Sequence, residues 1–152
     1  MLEPGAPAPD FSLAVSGGGT ASLADYAGQT LVLYFYPKDD TPGCTTEAKD
    51  FSEHTEAFAS KGARILGVSK DTVAKHDKFV AKHDLGITLG SDESGAVCEA
   101  YGVWVEKKMY GKTYMGIERA TFLITGDGIV EEVWRKVKVK GHAQTVLDRL
   151  SS

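Results

Sequence analysis

Two cysteines, Cys44 and Cys98, are the residues of this 152-residue chain best suited to covalent chemistry. The thiolate is the strong nucleophile, and an ordinary thiol, with a pKa of about 8.5, is mostly protonated at neutral pH. Cys44 ends the run Pro37-Lys38-Asp39-Asp40-Thr41-Pro42-Gly43-Cys44. Thr41 suits a helix N-cap and Pro42 the first helical position, which makes Cys44 the third residue of a helix. Unpaired backbone N–H groups and the positive end of the helix dipole favour an anion there. Lowering a thiol pKa by two units takes about 2.7 kcal/mol. A helix end supplies only ~0.3–1 kcal/mol, up to ~2 when partly buried. A neighbouring cation is therefore wanted.

Arg119, in Gly116-Ile117-Glu118-Arg119-Ala120-Thr121-Phe122, is the candidate cation. Its guanidinium is able to stabilise a thiolate and to hold small oxygen ligands through its fork of donors. The competing reading is an exposed arginine at a strand end, paired with Glu118. Likewise Thr41-Pro42-Gly43 also reads as an ordinary helix start, and Cys44 as a small buried hydrophobe. Local signals leave these alternatives open. Among the histidines, His54, His76, His83 and His142 show no ligand spacing with either cysteine, so no metal or cofactor is expected. The charged neighbours of His76 and His83 point to a solvated surface.

The elements that must position Cys44 follow from periodicity. Leu31–Tyr36 is apolar on both alternating faces, as a strand covered on both sides should be, and Pro37 ends it. Ala48, Phe51, Thr55 and Phe58 then recur at helical spacing, and Lys61-Gly62 closes that helix. Arg64–Ser69 reads as the next buried strand, Val73–His83 as a helix, Ile87-Thr88-Leu89 as a short strand and Ala96–Tyr101 as a short helix. Glu118–Ile124 and Ile129–Trp134 flank the turn Thr125-Gly126-Asp127-Gly128 and predict a hairpin. His142–Leu150 is a final helix. Near the start, Ala8–Leu13 is expected to be a strand. Val15-Ser16-Gly17-Gly18-Gly19-Thr20 should turn back to a second at Ser22-Leu23. This order predicts an α/β fold over a single domain, residues 1–152, with a parallel first strand–helix–strand unit and an antiparallel terminal hairpin. Cys44 then lies just past the carboxyl end of a central strand, where open α/β sheets place ligands.

Composition bounds the function classes. Hydrophobic residues make up 42% and charged residues 25%, and the formal net charge is -4. That balance argues against nucleic acid, which needs a basic face. The basic run Arg135–Lys140 alternates with Val137 and Val139, as a solvated strand face does. No secretory signal is visible at Met1-Leu2-Glu3-Pro4, and the longest apolar stretch is too short to span a membrane. Two cysteines are no disulfide framework, so a reducing, cytoplasmic location is expected.

The run Tyr36–Glu47 resembles the active-site signature of the peroxiredoxins, in particular the bacterioferritin-comigratory or Q-type subfamily. Val97-Cys98-Glu99-Ala100-Tyr101-Gly102-Val103-Trp104, Gly111-Lys112-Thr113-Tyr114 and Gly116-Ile117-Glu118-Arg119 resemble it too. The likeness runs from about Leu2 to Leu150. It implies a thioredoxin-like fold, with a central mixed sheet flanked by helices, and peroxidase activity on hydrogen peroxide and organic hydroperoxides. Cys44 would be the peroxidatic cysteine, with Thr41 and Arg119 as its catalytic partners. Pro37, Gly43 and Glu47 would shape the substrate site, Pro37 by shielding the sulfur. Subfamily likeness also implies a monomer.

The chain departs from the subfamily in one respect. The position five residues after Cys44, where many members carry a resolving cysteine, is Lys49, and Val73–His83 contains no cysteine either. Cys98 alone remains as a resolving candidate. The favoured cycle uses Cys44 alone and an external thiol: thioredoxin, glutaredoxin or glutathione. Two rivals stand beside it. A thioredoxin-type disulfide oxidoreductase needs a second cysteine three positions on, and Glu47 stands there. A non-catalytic binding protein on the same fold is the other, since fold alone does not fix function.

Overall fold

The structure is a computed structural model and describes residues 2–151. A seven-stranded mixed sheet forms its centre. Its elements in chain order are β1 (Ser12–Val15), β2 (Thr20–Ser22), a 3-10 turn (Leu23–Tyr26), β3 (Thr30–Phe35), α1 (Pro42–Glu53), α2 (Thr55–Ser60), β4 (Ala63–Ser69), α3 (Val73–His83), β5 (Thr88–Ser91), α4 (Ala96–Ala100), β6 (Trp104–Met109), β7 (Lys112–Ile117), β8 (Ala120–Ile124), β9 (Val130–Trp134) and α5 (His142–Ser151). The sheet runs in the order β2-β1-β5-β4-β3-β8-β9, and β6 and β7 form a separate two-stranded ribbon. β3 pairs parallel with β4 and antiparallel with β8.

β3 divides the core. Leu31, Leu33 and Phe35 face one apolar cluster, which also holds Cys98, Tyr101 and Phe122. Val32, Tyr34 and Tyr36 face the other, with Cys44, Ala48 and Phe51 of α1, Phe79 of α3 and Val146 of α5. Strict alternation along a strand covered on both faces produces this split.

Several expectations are corrected. The first strand is Ser12–Val15, not Ala8–Leu13. Pro7 and Pro9 have no N–H to give to a ladder, and Pro7 makes only an isolated bridge to Ile129. The long helix after Thr41 is two helices, interrupted at His54. There His54 Nδ1 lies 2.8 Å from the Asp50 carbonyl oxygen, and the Thr55 hydroxyl donates to the Ser52 carbonyl oxygen at 2.9 Å. Side chains thus occupy carbonyls that the helical ladder would use. The β6–β7 ribbon is an element the sequence pattern did not reveal, and it turns at Tyr110-Gly111, both with positive φ. The segment from Arg135 to Lys140 lies beyond β9 and is not part of a strand. His76, expected at the surface, is fully buried.

Candidate active site

β3 ends at Phe35, and the chain reaches α1 through Tyr36–Thr41. Thr41 has an extended backbone, φ −99° and ψ 154°, and Pro42 begins the helix, as its missing N–H and fixed φ allow. The Thr41 hydroxyl does not cap the helix; it donates instead to the Lys38 carbonyl oxygen at 2.8 Å. The first-turn N–H groups beside Cys44 therefore carry no side-chain cap and remain able to bind an anion. Cys44 itself is 2% exposed.

Arg119 comes from the residue before β8. The register Phe35↔Ala120 delivers it to the carboxyl end of β3, beside the start of α1. Arg119 Nη2 donates to Cys44 Sγ at 3.3 Å, and Nη1 donates to Glu47 Oε1 at 2.6 Å. Glu118 pairs with Arg135 at 3.3 Å, so the alternative pairing of Arg119 with its sequence neighbour does not form. Gly43 makes room for the guanidinium: a Cβ at that position would lie 3.3 Å from Nη2. Glu47 lies one turn beyond Cys44 and is 1% exposed, so its contact is with Arg119 rather than with solvent. Burial raises its pKa from 4.5 to about 7, against the lowering pull of Arg119. Its second oxygen, Oε2, has no partner among the described residues.

A cysteine at an uncapped helix start, contacted by a guanidinium that a buried carboxylate holds in place, is a site for stabilising a thiolate. The chain's residues 4–133 match the AhpC/TSA family. It belongs to that family, in its peroxiredoxin branch. A peroxiredoxin Bcp of Xanthomonas campestris is 51% identical over 152 residues, covering 100% of this chain and 95% of the relative. The Bacillus subtilis peroxiredoxin Bcp is 52% identical over 149 residues, 98% of this chain and 95% of its own. Among solved structures, a cysteine-to-serine variant of Xylella fastidiosa PrxQ superposes with a TM-score of 0.95 at 42% identity, covering 99% of this chain and 96% of that one. A structure of the X. campestris bacterioferritin comigratory protein, described for its alkyl peroxide reduction activity, gives 0.89 at 51% identity over 93% of this chain and 90% of that one. The thioredoxin-like fold is shared with these peroxiredoxins.

The remaining predicted residues of this peroxiredoxin fall in different places. Pro37 is exposed at the end of β3, while Thr41 and Gly43 are half-buried at the start of α1. Cys98 is fully buried in α4, in the cluster on the opposite face of the sheet from Cys44. Its own N–H donates to Asp92 Oδ2 at 2.8 Å. Burial, and then Asp92, push its thiol pKa far up.

Sequence reasoning missed three neighbours of the site. Lys107 of β6 is half-buried, and burial and the nearby Arg119 both disfavour its ammonium. His142 at the start of α5 lies 2.7 Å from the Thr121 hydroxyl, with its pKa lowered to about 4 by burial and then by Arg119. It stays neutral beside the guanidinium. The third group joins Asp39, in the loop that leads into Cys44, to His76 of α3. No short motif announces any of them, because each depends on contacts made across the fold. Among the described residues no cluster of three or more His, Cys, Asp or Glu is placed to hold a metal, and no helix is long and apolar enough to cross a membrane.

Proposed function

We propose that this peroxiredoxin reduces hydrogen peroxide and organic hydroperoxides through Cys44 and is recycled by an external thiol. The observation that carries the reading is the Arg119 Nη2 to Cys44 Sγ contact of 3.3 Å at the start of α1. In the attack, the Cys44 thiolate forms an S–O bond to the nearer peroxide oxygen while the O–O bond breaks. The leaving oxygen takes a proton and departs as water or an alcohol, and Cys44 becomes a sulfenic acid. Arg119 is suited to both states, since its donors favour the thiolate and then the peroxide oxygens between which charge is redistributed. Thr41 and Gly43 shape the pocket edge, and Glu47 orients Arg119.

Recycling begins when an external thiolate attacks the sulfenic sulfur, expelling water and leaving a mixed disulfide. A second thiol then releases reduced Cys44. Thioredoxin, glutaredoxin and glutathione are the proposed reductants, and the protein acts as a monomer in the cytoplasm. A chain of this length with only two cysteines, and so no disulfide framework, supports a reducing location. A one-cysteine cycle is supported by the separation of Cys44 and Cys98 across the sheet, because a disulfide needs their α-carbons within about 7 Å.

One equivalent of peroxide followed by mass spectrometry tests the cycle. The expected product is a sulfenic acid on Cys44, trapped by a dimedone-type reagent, and Cys44→Ser is expected to consume no peroxide. Peroxide consumption by that variant at the parent rate would remove Cys44 from the mechanism.

A further inference from the structure

The segment that leads into the nucleophile is fastened to α3 at two consecutive aspartates. Asp40, with a left-handed backbone at φ 58°, accepts from Lys82 Nζ at 2.7 Å and lies 2.9 Å from His83 Nε2, both near the solvent. Asp39 is different because it is buried. Its Oδ1 accepts from the Tyr36 hydroxyl at 2.5 Å, and its Oδ2 lies 2.6 Å from His76 Nδ1. Its backbone N–H donates to Asp71 Oδ2 at 2.8 Å. His76, fully buried, places Nε2 2.9 Å from the Gly90 carbonyl oxygen of β5.

The chemistry of these contacts fixes where protons must be. A carbonyl oxygen only accepts, so His76 Nε2 carries a hydrogen. The 2.6 Å approach of Nδ1 to a carboxylate oxygen also needs a proton between them, since two bare acceptors would repel at that distance. A fully buried imidazole with both nitrogens engaged is held in one orientation, and it links β5 to the loop through Asp39. Four residues separate Asp39 from the nucleophile, and one of them is Thr41. Nothing in the thiolate chemistry itself requires this buried polar pair, and an unpaired version of either member would be costly.

We infer that His76 is a positioning residue for the peroxidatic step, acting through Asp39 to hold the Pro37–Thr41 loop in the conformation that sets Cys44 against Arg119. It touches neither peroxide nor Sγ, so its effect is on the geometry of attack and on how far Cys44 stays enclosed. The inference rests on the peroxidase reading above.

The test compares two substitutions. His76→Phe fills the space but removes both hydrogen bonds. Asp39→Asn keeps them, because the amide oxygen accepts from Tyr36 and the amide N–H donates to a neutral imidazole Nδ1 while Nε2–H still serves Gly90. Single-turnover oxidation of the reduced protein, followed by tryptophan fluorescence, is expected to slow about tenfold to hundredfold in His76→Phe and to stay within about twofold of the parent in Asp39→Asn. Alkylation of Cys44 by a bulky maleimide is expected to speed up in His76→Phe alone. Circular dichroism establishes that each variant is folded; should His76→Phe not fold, His76→Gln, whose amide reaches one of the two acceptors, carries the same test with a smaller drop. A folded His76 variant with the parent's oxidation rate would overturn the inference, as would an Asp39→Asn variant as slow as His76→Phe. A parent protein inert to peroxide would instead overturn the peroxidase reading, and the alkylation comparison would still report on the tether.

Discussion

Cys44 and Cys98 are alike in every property that composition or burial can report. Each lies in the first turn of a helix and is almost fully enclosed, at 2% and 0% exposure. What separates them is the sign of the nearest charge. Cys44 Sγ meets the Arg119 guanidinium, whereas at Cys98 burial, and then the neighbouring Asp92 carboxylate, push the thiol far up. Burial disfavours any thiolate, so a buried cysteine becomes a nucleophile only where a cation outweighs that penalty. Cys98 packs with Tyr101 and Phe122 on the other face of the sheet as a small hydrophobe. Position at a helix start is shared by both and therefore decides nothing by itself.

The sharpest way to break this contrast is to remove the cation. Arg119→Met keeps much of the side chain's bulk but deletes the donor to Sγ and the partner of Glu47. The second-order rate with peroxide is expected to fall about 10²–10³-fold, corresponding to about 2.7–4 kcal/mol of lost stabilisation. Stopped-flow measurement on the reduced protein checks it. An unchanged rate would mean that the helix start alone activates Cys44, and the contrast with Cys98 would then need another cause.

Glu47 sharpens the same contrast from beneath, because it is the carboxylate that aims the guanidinium. Its pKa is raised in the folded protein from 4.5 to about 7. The folded state then binds more protons than the unfolded state between these values. Its contribution is most favourable below about pH 4.5 and is lost as pH rises to about 7, after which it is constant. Denaturant titrations of the parent and of Glu47→Gln across this window are expected to show a stability difference that changes by about 3 kcal/mol. Equal pH profiles for the two proteins would show that Glu47 ionises as freely as in water.

How much of this site was legible in the sequence depended on whether its parts were local. The Thr41-Pro42 helix start and the apolar Leu31–Tyr36 strand are local signals, and β3 and α1 form where they predict. Arg119 was named as a candidate, yet its partner depended on the Phe35↔Ala120 register, a contact between distant segments. His76 was misread because Lys75, Asp77 and Lys78 surround it in sequence, and its burial is offset by an aspartate thirty-seven positions away. The β6–β7 ribbon was hidden because Lys107, Lys108, Lys112 and Thr113 dilute its alternation. Among the described residues, the strongly exposed large hydrophobic ones, Met109, Tyr110, Tyr114 and Met115, lie there. Trp104, at the start of the ribbon, is half-buried against the core with Lys70 Nζ 4.3 Å from its ring centre.

Cys98→Ser is the test with the smallest expected effect, and its value lies in that. If Cys98 only packs, replacing its sulfur by a hydroxyl removes a little apolar contact and exchanges the weak S–H donor beside Asp92 for a stronger O–H donor. Stability is then expected to change by about 1 kcal/mol. Steady-state peroxide turnover with a thiol reductant is expected to stay within about twofold of the parent, since Cys44, Arg119 and Glu47 lie on the opposite side of the sheet. A resolving role makes the contrary prediction. A single burst of peroxide reduction would survive, because Cys44 is intact, but turnover would stop with every reductant offered. That result would require the two cysteines to meet through local unfolding of α1 or α4, and it would turn Cys98 from a packing residue into the second half of the catalytic cycle.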